Sequence, residues 1–263
     1  MDFGLTGKTA VVLASSKGLG RATAEALAAE GCHVAMCARN GAELEPAAED
    51  LRQRYTGKIF AQACDVSRAD DLDRFFAQAR AILGPADILI NNAGGPPAGP
   101  TDAFNDDAWQ AAFEANFMSV VRACRHVVPD MKARRWGRIL TIASTSVKQP
   151  IPGLVLSNSF RAAVAGYSKT LSMEVWAYNV LANCVLPGPF LTDRNRQLGA
   201  NISADRGITM ETLIAEWEND LPVHRMGDPR EFGRVMAFLA SDRCGFITGA
   251  CIPVDGGSVK GLY

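Results

Sequence analysis

Short apolar runs alternate with longer segments of helical period along nearly the whole chain. The runs have strand length and the segments between them have helix length: strands at 9–14, 33–38, 59–63 and 88–91, helices at 21–30, 43–55 and 69–83. Alternating units of these lengths form a parallel sheet with crossover helices on both faces. The pattern therefore predicts an α/β fold with a doubly wound parallel sheet.

The rhythm continues to the end of the sequence. Helical period returns at 106–124, 158–178 and 229–240, and apolar runs return at 138–142, 180–185 and 251–254. No internal repeat and no Ser/Gly linker interrupts the chain, so we expect one domain over residues 1–263. Residues 190–221 break the rhythm with polar sequence. Long insertions of this kind lie over binding crevices, so we expect a substrate lid there, with a solvated excursion as the alternative.

Composition excludes several classes of protein. The chain has 27 Lys and Arg against 28 Asp and Glu, a formal charge of −1, which argues against a nucleic-acid surface or a polybasic membrane face. The sequence contains no apolar run of about 18 residues and no signal-peptide pattern at its start, so we expect a cytoplasmic protein. Seven scattered cysteines indicate reduced thiols, and three distant histidines give no metal-site spacing, so we expect no metal.

The first apolar run ends in a glycine-rich turn before the first predicted helix. The turn reads Ser16-Lys17-Gly18-Leu19-Gly20. Glycines here let the backbone approach a pyrophosphate, which the helix N–H groups and the positive end of the helix dipole then bind. The turn predicts a dinucleotide site, although glycine also serves any tight strand-to-helix turn.

The residue at the end of the second strand indicates which dinucleotide binds. About 20 residues after the glycine turn, a carboxylate accepts from the ribose of NAD, whereas an arginine accommodates the 2′-phosphate of NADP. Here Arg39 occupies that region, Ala38 precedes it, and Lys17 adds a second cation. Both cations could simply be surface charges, but together, with no competing acid at the preceding position, they favour NADP as the cofactor.

Several motifs stand in the order and spacing of one known family. They are Ala14 to Gly20, Asp65-Val66, Asn91-Asn92-Ala93-Gly94, Asn116, Ser144, Pro187-Gly188 and Asp255-Gly256-Gly257. Over nearly its entire length the chain resembles the short-chain dehydrogenase/reductases. Within that family it resembles a divergent branch similar to the 3-oxoacyl-carrier-protein reductases. The resemblance implies a Rossmann-type fold and an oxidoreductase acting on a small carbonyl or alcohol substrate. One departure is that Leu13 and Ala14 replace the Thr-Gly that opens the family's turn.

The resemblance also implies roles for the cofactor residues. Asp65 and Val66 would bind the adenine, and Asn92-Ala93-Gly94 would line the ribose side. Pro187-Gly188 and Thr192 would hold the nicotinamide end. Homo-oligomers, either tetramers or dimers, are common among such relatives, so a homo-oligomer is expected here as well.

The resemblance fails at the chemical centre. Members of the family carry Asn, Ser and a Tyr-x-x-x-Lys pair, in which the tyrosine exchanges a proton with the substrate oxygen and the lysine lowers the tyrosine pKa. Asn116 and Ser144 match the first two, so Ser144 would hold the oxygen and Asn116 would organise a water relay. Counting from Ser144, the tyrosine position is Ser157 and the lysine position is Arg161.

Neither replacement takes over the lost proton transfer. A serine hydroxyl is far less acidic than a phenol and reaches less far, and an arginine does not readily release its proton. Arg161 would instead hold the ribose or a substrate carboxylate. Lys148, four residues after Ser144, is the best substitute acid; the alternative is that its side chain simply points into solvent.

Three functions stay open: an NADP-dependent oxidoreductase with a non-standard acid–base group, a non-redox lyase or dehydratase, or a catalytically silent NADP-binding protein.

Overall fold

A computed structural model of the chain describes residues 2–262 and contains one seven-stranded parallel sheet. Its strands are β1 (Thr9–Val12), β2 (His33–Ala38), β3 (Ile59–Ala63), β4 (Ile88–Asn91), β5 (Gly137–Ile142), β6 (Val180–Pro187) and β7 (Cys251–Val254). The strands lie in the order β3-β2-β1-β4-β5-β6-β7, and all neighbours are parallel. The predicted doubly wound sheet is confirmed.

Helices connect and cover the strands. They are α1 (Gly18–Ala29), α2 (Gly41–Arg54), α3 (Ala69–Leu83), α4 (Asp106–Phe113), α5 (Ser119–Arg134), α6 (Val155–Val175), α7 (Asp193–Arg206), α8 (Met210–Asn219) and α9 (Pro229–Ala240). A π-helical turn at Glu114–Met118 joins α4 to α5, and short 3₁₀ turns occur at Thr101–Ala103, Thr145–Val147 and Trp176–Tyr178. None of the helices described between residues 2 and 262 has both the length and the apolar character that crossing a bilayer requires.

The sheet is buried on both faces, as its continuous apolar strands predict. One core lies under α1, α2 and α9 and includes Leu27, Leu51 and Phe232. The other lies under α3, α5 and α6 and includes Phe75 and Val164. The two cores fix the sheet between helix layers, so the carboxyl ends of the strands remain the place where loops can form a site.

A crevice opens where the strand order reverses. β1 lies between β2 and β4, so the loops after β1 and β4 leave the sheet toward opposite sides. Asn92, just past β4, donates through Nδ2 to the carbonyl of Ala14, just past β1, at 3.0 Å. This bond spans the base of the crevice and joins the two segments predicted to bind the dinucleotide.

Some element boundaries differ from the prediction. The helix expected at 106–124 is interrupted by the π turn, and its continuation runs to Arg134. Residues 190–221, expected as a lid of weak helical period, contain α7 and α8. Helical period is weak in α7 because exposed polar residues surround most of it, while the side chains of Thr192 and Thr209 cap α7 and α8. Capping, rather than an apolar stripe, signals these helices in the sequence.

Candidate active site

The glycine-rich turn has the geometry of an anion cradle. Gly18 has φ +59, a conformation that L side chains rarely adopt. A Cβ on Gly20 would lie 2.4 Å from the carbonyl oxygen of Ala14, so any side chain there would displace the turn. Lys17 is the N-cap of α1 but makes no side-chain cap hydrogen bond. The first N–H groups of α1 are therefore free of a capping side chain and can bind an anion.

Ala14 opens this turn in a left-handed conformation, with φ +47. An alanine in this region is strained by about 1–2 kcal/mol, because its Cβ crowds the following carbonyl. Although Ala14 replaces a glycine of the predicted turn, it adopts the backbone that a glycine would adopt, and the Asn92 bond to its carbonyl helps hold it there.

The two cations predicted to read the 2′-phosphate differ in their surroundings. Arg39 is exposed directly after β2 and has no ion pair within residues 2–262. Lys17 Nζ lies 3.2 Å from a carboxylate oxygen of Glu43, with both side chains about half exposed. Glu43 is an acid that sequence reasoning missed; its place in the first turn of α2, where a helix dipole favours a carboxylate, was the available signal. An exposed pair of this kind is worth about 0–1 kcal/mol, so Lys17 exchanges partners easily.

The residues assigned to the adenine lie after β3. Asp65 Oδ1 accepts from the backbone N–H of Ser67 at 3.0 Å and from its hydroxyl at 2.7 Å, which fixes the carboxylate. Val66 is buried against the core under α3 and α5. The loop therefore presents one fixed carboxylate beside an apolar surface, a combination that suits a base carrying exocyclic N–H groups.

The residues assigned to the nicotinamide end lie after β6. A Cβ on Gly188 would lie 2.6 Å from the Cα of Asp255, so only glycine lets the two chain segments approach this closely. Thr192 caps α7 by accepting from the backbone of Asn195 at 3.3 Å. The methyl group of Thr192 lies 3.8 Å from the position of a Cβ on Gly18. The start of α7 therefore lies over the phosphate turn and partly covers the crevice.

Ser144 lies just past β5 and Asn116 lies in the π turn, and α6 packs against both regions. The Ser144 hydroxyl oxygen accepts from the backbone N–H of Ser146 at 3.1 Å, which orients the side chain and leaves its proton free to be donated. Asn116 lies within the π turn and donates to the Ala112 carbonyl at 3.2 Å, while its Oδ1 is buried without a partner. The Ser146 hydroxyl oxygen is also buried and unpartnered. Unsatisfied buried acceptors of this kind are typical of sites that bind water or a ligand.

Ser157 and Arg161 project from the first two turns of α6. Ser157 is half-buried, and Arg161 is only 7% exposed. Arg161 Nη1 donates to the Ile142 carbonyl at 2.7 Å, the only hydrogen bond of this guanidinium within residues 2–262. Burial lowers the pKa of Arg161 to about 10, so it stays charged at neutral pH. The position that the sequence predicts to be the lysine position thus holds a buried cation, bound to the strand that leads into Ser144.

Lys148 is the substitute acid that the sequence predicts, and Tyr167 is the tyrosine of α6. Lys148 is exposed, and its charge acts on the thiol of Cys251. Tyr167 lies further along α6, where its ring packs edge-on against Phe117 beside the core. Burial raises the pKa of Tyr167 well above its usual range. This phenol is a packing residue, so it does not replace the one missing at Ser157.

One contact across the crevice was not predicted. Arg194, in the first turn of α7, donates to the Pro96 carbonyl in the loop after β4 at 2.8 Å. A Cβ on Gly95 would lie 3.3 Å from Arg194 Nε, so the glycine leaves room for the guanidinium. The sequence shows Gly95-Pro96-Pro97 and an arginine in the lid, but only the folded chain brings them together. We call this contact the Arg194 strap.

The crevice fits a nicotinamide dinucleotide. Its parts are the cradle at Gly18 and Gly20, the uncapped start of α1 and the unpaired cation Arg39. No group of three or more His, Cys, Asp or Glu residues that could hold a metal ion lies in the described part of the chain. The buried, unpartnered acceptors of Asn116 and Ser146 lie in two turns that pack against α6, the helix that carries Ser157 and Arg161.

Known proteins resemble the chain over its full length. The profile of a family described as enoyl-(acyl carrier protein) reductase matches residues 13–259. The 3-oxoacyl-[acyl-carrier-protein] reductase FabG of Chlamydia trachomatis is 30% identical, over 96% of this chain and 98% of the relative. The 2,3-dihydro-2,3-dihydroxybenzoate dehydrogenase of Bacillus subtilis is 31% identical, over 98% of each chain.

A solved structure agrees with the fold in detail. L-sorbose reductase from Gluconobacter frateurii, complexed with NADPH and L-sorbose, superimposes with a TM-score of 0.95 and 34% identity over 100% of both chains. The similarity therefore extends across the sheet and the helices α7 and α8 rather than stopping at the first strands and helices.

Proposed function

The chain belongs to the short-chain dehydrogenase/reductases, and from this premise we propose that it is an NADP-dependent oxidoreductase with a non-standard acid–base group. Its substrate would be a small carbonyl compound or the corresponding alcohol. The observation that carries the proposal is the cradle after β1. It consists of Gly18, Gly20 and the uncapped start of α1, and the hydrogen bond from Asn92 to the Ala14 carbonyl holds its first residue. A chain without a dinucleotide to bind would have no need of strained, uncapped backbone at this point.

The choice of NADP rests on charge. Arg39 is exposed at the carboxyl end of β2 and has no ion-pair partner among residues 2–262, and Ala38 leaves no carboxylate at its position to repel a phosphate. Lys17 adds a second cation that a phosphate can draw from Glu43, since their exposed ion pair is weak. The similar L-sorbose reductase is complexed with NADPH, which supports the same choice here.

When bound, the nicotinamide would supply a hydride to the carbonyl carbon. Ser144 would donate its free proton in a hydrogen bond to the carbonyl oxygen, since the Ser146 N–H already fixes the position of the Ser144 oxygen. Negative charge grows on that oxygen during reduction, so a fixed donor lowers the barrier. Asn116 would hold a water molecule through its unpaired Oδ1.

Arg161 would supply positive charge and hydrogen-bond donors without giving up a proton. Its bond to the Ile142 carbonyl uses one donor, and the others suit ribose hydroxyls or a substrate carboxylate. Ser157 would extend the hydrogen-bonding surface left by the missing phenol. The positive charge also favours a developing alkoxide, an effect that is strengthened where water is excluded.

The proton that completes reduction would come from Lys148 or from water. Lys148 is exposed and stands close enough to Cys251 to affect its thiol, which favours water held between Asn116 and Ser144. Replacement of Lys148 by methionine separates the two routes. If water is the donor, turnover changes by less than about twofold, whereas loss of a general acid costs about 10²–10⁴-fold.

The test of the function is direct. NADPH oxidation is followed with ketones, ketoses and 3-oxoacyl thioesters, first for the native protein and then for Ser144→Ala. We expect turnover on at least one class and a loss with Ser144→Ala. The double substitution Ser157→Tyr with Arg161→Lys restores the family's pair, and we expect it to raise turnover on that class.

A second reading is favoured by the absence of an acidic phenol at Ser157 and by the packing of Tyr167 in the core. It is a non-redox lyase or dehydratase, or a silent NADP-binding protein. Tight NADPH binding by calorimetry, with no oxidation by any carbonyl even in the double variant, would replace the first proposal with this one. The expected cytoplasmic location and homo-oligomer, a tetramer or a dimer, stay predictions; light scattering tests the assembly.

A further inference from the structure

Two cysteines lie side by side at one edge of the sheet. Cys251 begins the edge strand β7 and pairs directly with Cys184 of β6 in the parallel register. Cys184 belongs to the core on the α6 face, and Cys251 packs against that core. Neighbouring strands run about 4.8 Å apart, which lies within the Cα separation of about 4.4–6.8 Å that a disulfide spans. The register therefore places two thiols where they can form a bond.

The two thiols differ in their access to solvent. Cys184 is fully buried, and its Sγ contacts the Val164 carbonyl at 4.0 Å. Cys251 is partly exposed, whereas the other six cysteines are buried. A small reagent in solution can therefore reach the Cys251 sulfur, whereas the Cys184 sulfur is inaccessible to it.

Positive charge surrounds Cys251. Lys169 on α6 covers the segment that enters β7, since a Cβ on Gly249 would lie 2.9 Å from its Nζ. The hydrogen bond with Cys184, together with the charges of Lys148 and Lys169, lowers the pKa of Cys251 to about 6. The same interaction and then burial raise the pKa of Cys184. The partly exposed sulfur is therefore the one that loses its proton more readily.

We propose that Cys251 and Cys184 form a redox-modification site, in which Cys251 attacks a peroxide and Cys184 resolves the product to a disulfide. The Cys251 sulfur forms a bond to one peroxide oxygen, the O–O bond breaks, and hydroxide leaves. The Cys184 sulfur then attacks the Cys251 sulfur, the S–O bond breaks, and the hydroxyl leaves with the Cys184 proton as water. The two thiols lose two electrons, which reduce hydrogen peroxide.

The chain contains its own control pair. Cys37 of β2 and Cys64, just after β3, also interact through their side chains, and both are buried. No lysine contributes to the pKa of Cys37, which is raised by its hydrogen bond with Cys64 and by burial. Proximity alone therefore predicts equal reactivity of the two pairs, whereas exposure and charge predict that only the pair at the sheet edge reacts.

The experiment uses the full-length reduced protein. Iodoacetamide labelling at pH 5 to 9 is followed by tryptic digestion and mass spectrometry, and a second sample is treated with hydrogen peroxide. Cys184 falls in the peptide of residues 170–194 and Cys251 in that of 244–260. The second peptide also contains Cys244, so fragmentation assigns the modified residue.

We expect Cys251 to be alkylated at least tenfold faster than Cys37 at pH 7. The pH at which the alkylation rate of Cys251 reaches half its maximum should rise in Lys169→Met. Peroxide should join peptides 170–194 and 244–260 with loss of two hydrogens, and Cys184→Ser should instead give a sulfenic acid at Cys251 that dimedone traps. Equal alkylation of Cys251 and Cys37 would overturn the proposal. So would a Cys37–Cys64 link forming as readily, or a Cys184→Ser protein that yields no dimedone adduct.

Discussion

Replacing Arg161 with methionine should make the ligand-free protein more stable while weakening the site. Burial lowers the pKa of Arg161 from 12.5 to about 10. At about 1.4 kcal/mol for each unit of that difference, the charged guanidinium costs the folded chain about 3 kcal/mol. Methionine removes this cost but leaves the Ile142 carbonyl without its donor at 2.7 Å, a loss of about 2 kcal/mol.

The net gain is therefore about 1 kcal/mol, which corresponds to a melting temperature about 2–4 °C higher for a chain of this size. The pH dependence has a definite sign. Arg161 is a base whose pKa is lower in the folded state, so its cost is complete below pH 10 and fades as pH rises from 10 toward 12.5. The advantage of Arg161→Met should be constant from pH 6 to 9 and shrink above pH 10.

Denaturant unfolding of the native protein and Arg161→Met, with and without NADPH, measures both effects. NADPH should stabilise the native protein by about 2.7 kcal/mol at one hundred times its Kd, and stabilise the variant less. Arg161→Lys keeps a buried cation and should bring no gain without ligand. A variant destabilised by 2 kcal/mol or more, with unchanged NADPH stabilisation, would refute the view that this charge is retained for ligand binding.

Three further outcomes follow from the crevice. Arg39→Ala should weaken NADPH binding by about 10-fold or more, because a charge-assisted hydrogen bond contributes about 1.5–3 kcal/mol, while calorimetry should find NADH binding little changed. Ala14→Gly should raise the free energy of unfolding by up to about 1 kcal/mol by relieving the strain at φ +47, whereas Ala77→Gly, at an exposed position of α3, should lower it by about 1 kcal/mol. Arg194→Ala should speed NADPH release in stopped-flow fluorescence, because it removes the strap to Pro96; a similar effect from its exposed neighbour Arg196→Ala would show that the strap is not the cause.

The sheet was predictable because each strand is a local signal. Runs such as Ile88-Leu89-Ile90 are short and apolar on both faces, which favours a buried strand, and their alternation with helices favours a parallel sheet. Helix boundaries were less predictable where tertiary contacts set them. The π turn around Asn116 interrupts a continuous helical pattern, and nothing in the residue types there distinguishes it from an ordinary turn of helix.

The candidate site divides in the same way. The cradle follows from the spacing of Gly18 and Gly20, since the chemistry lies within a few residues. The Lys17–Glu43 ion pair and the Arg194 strap to Pro96 join residues that are far apart in the chain. The periodicity of the sequence therefore does not predict these contacts. Burial of Arg161 likewise depends on how α6 packs against β5, and an arginine in a helix is ordinarily expected at the surface.

The replacement of a lysine by Arg161 changes what the site can do with a proton. A lysine in a dry pocket loses its proton within reach of neutral pH, so its charge can change during turnover. Arg161 stays charged up to about pH 10, and its bond to Ile142 holds it behind Ser144. In the proposed assignment the site would have a permanent cation and no acidic phenol, so with water as the proton donor rate enhancement would come from fixed charge and oriented water rather than from a titrating pair. A pH–rate profile without an ionisation between pH 6 and 9 is the consequence, and Ser157→Tyr with Arg161→Lys should introduce one.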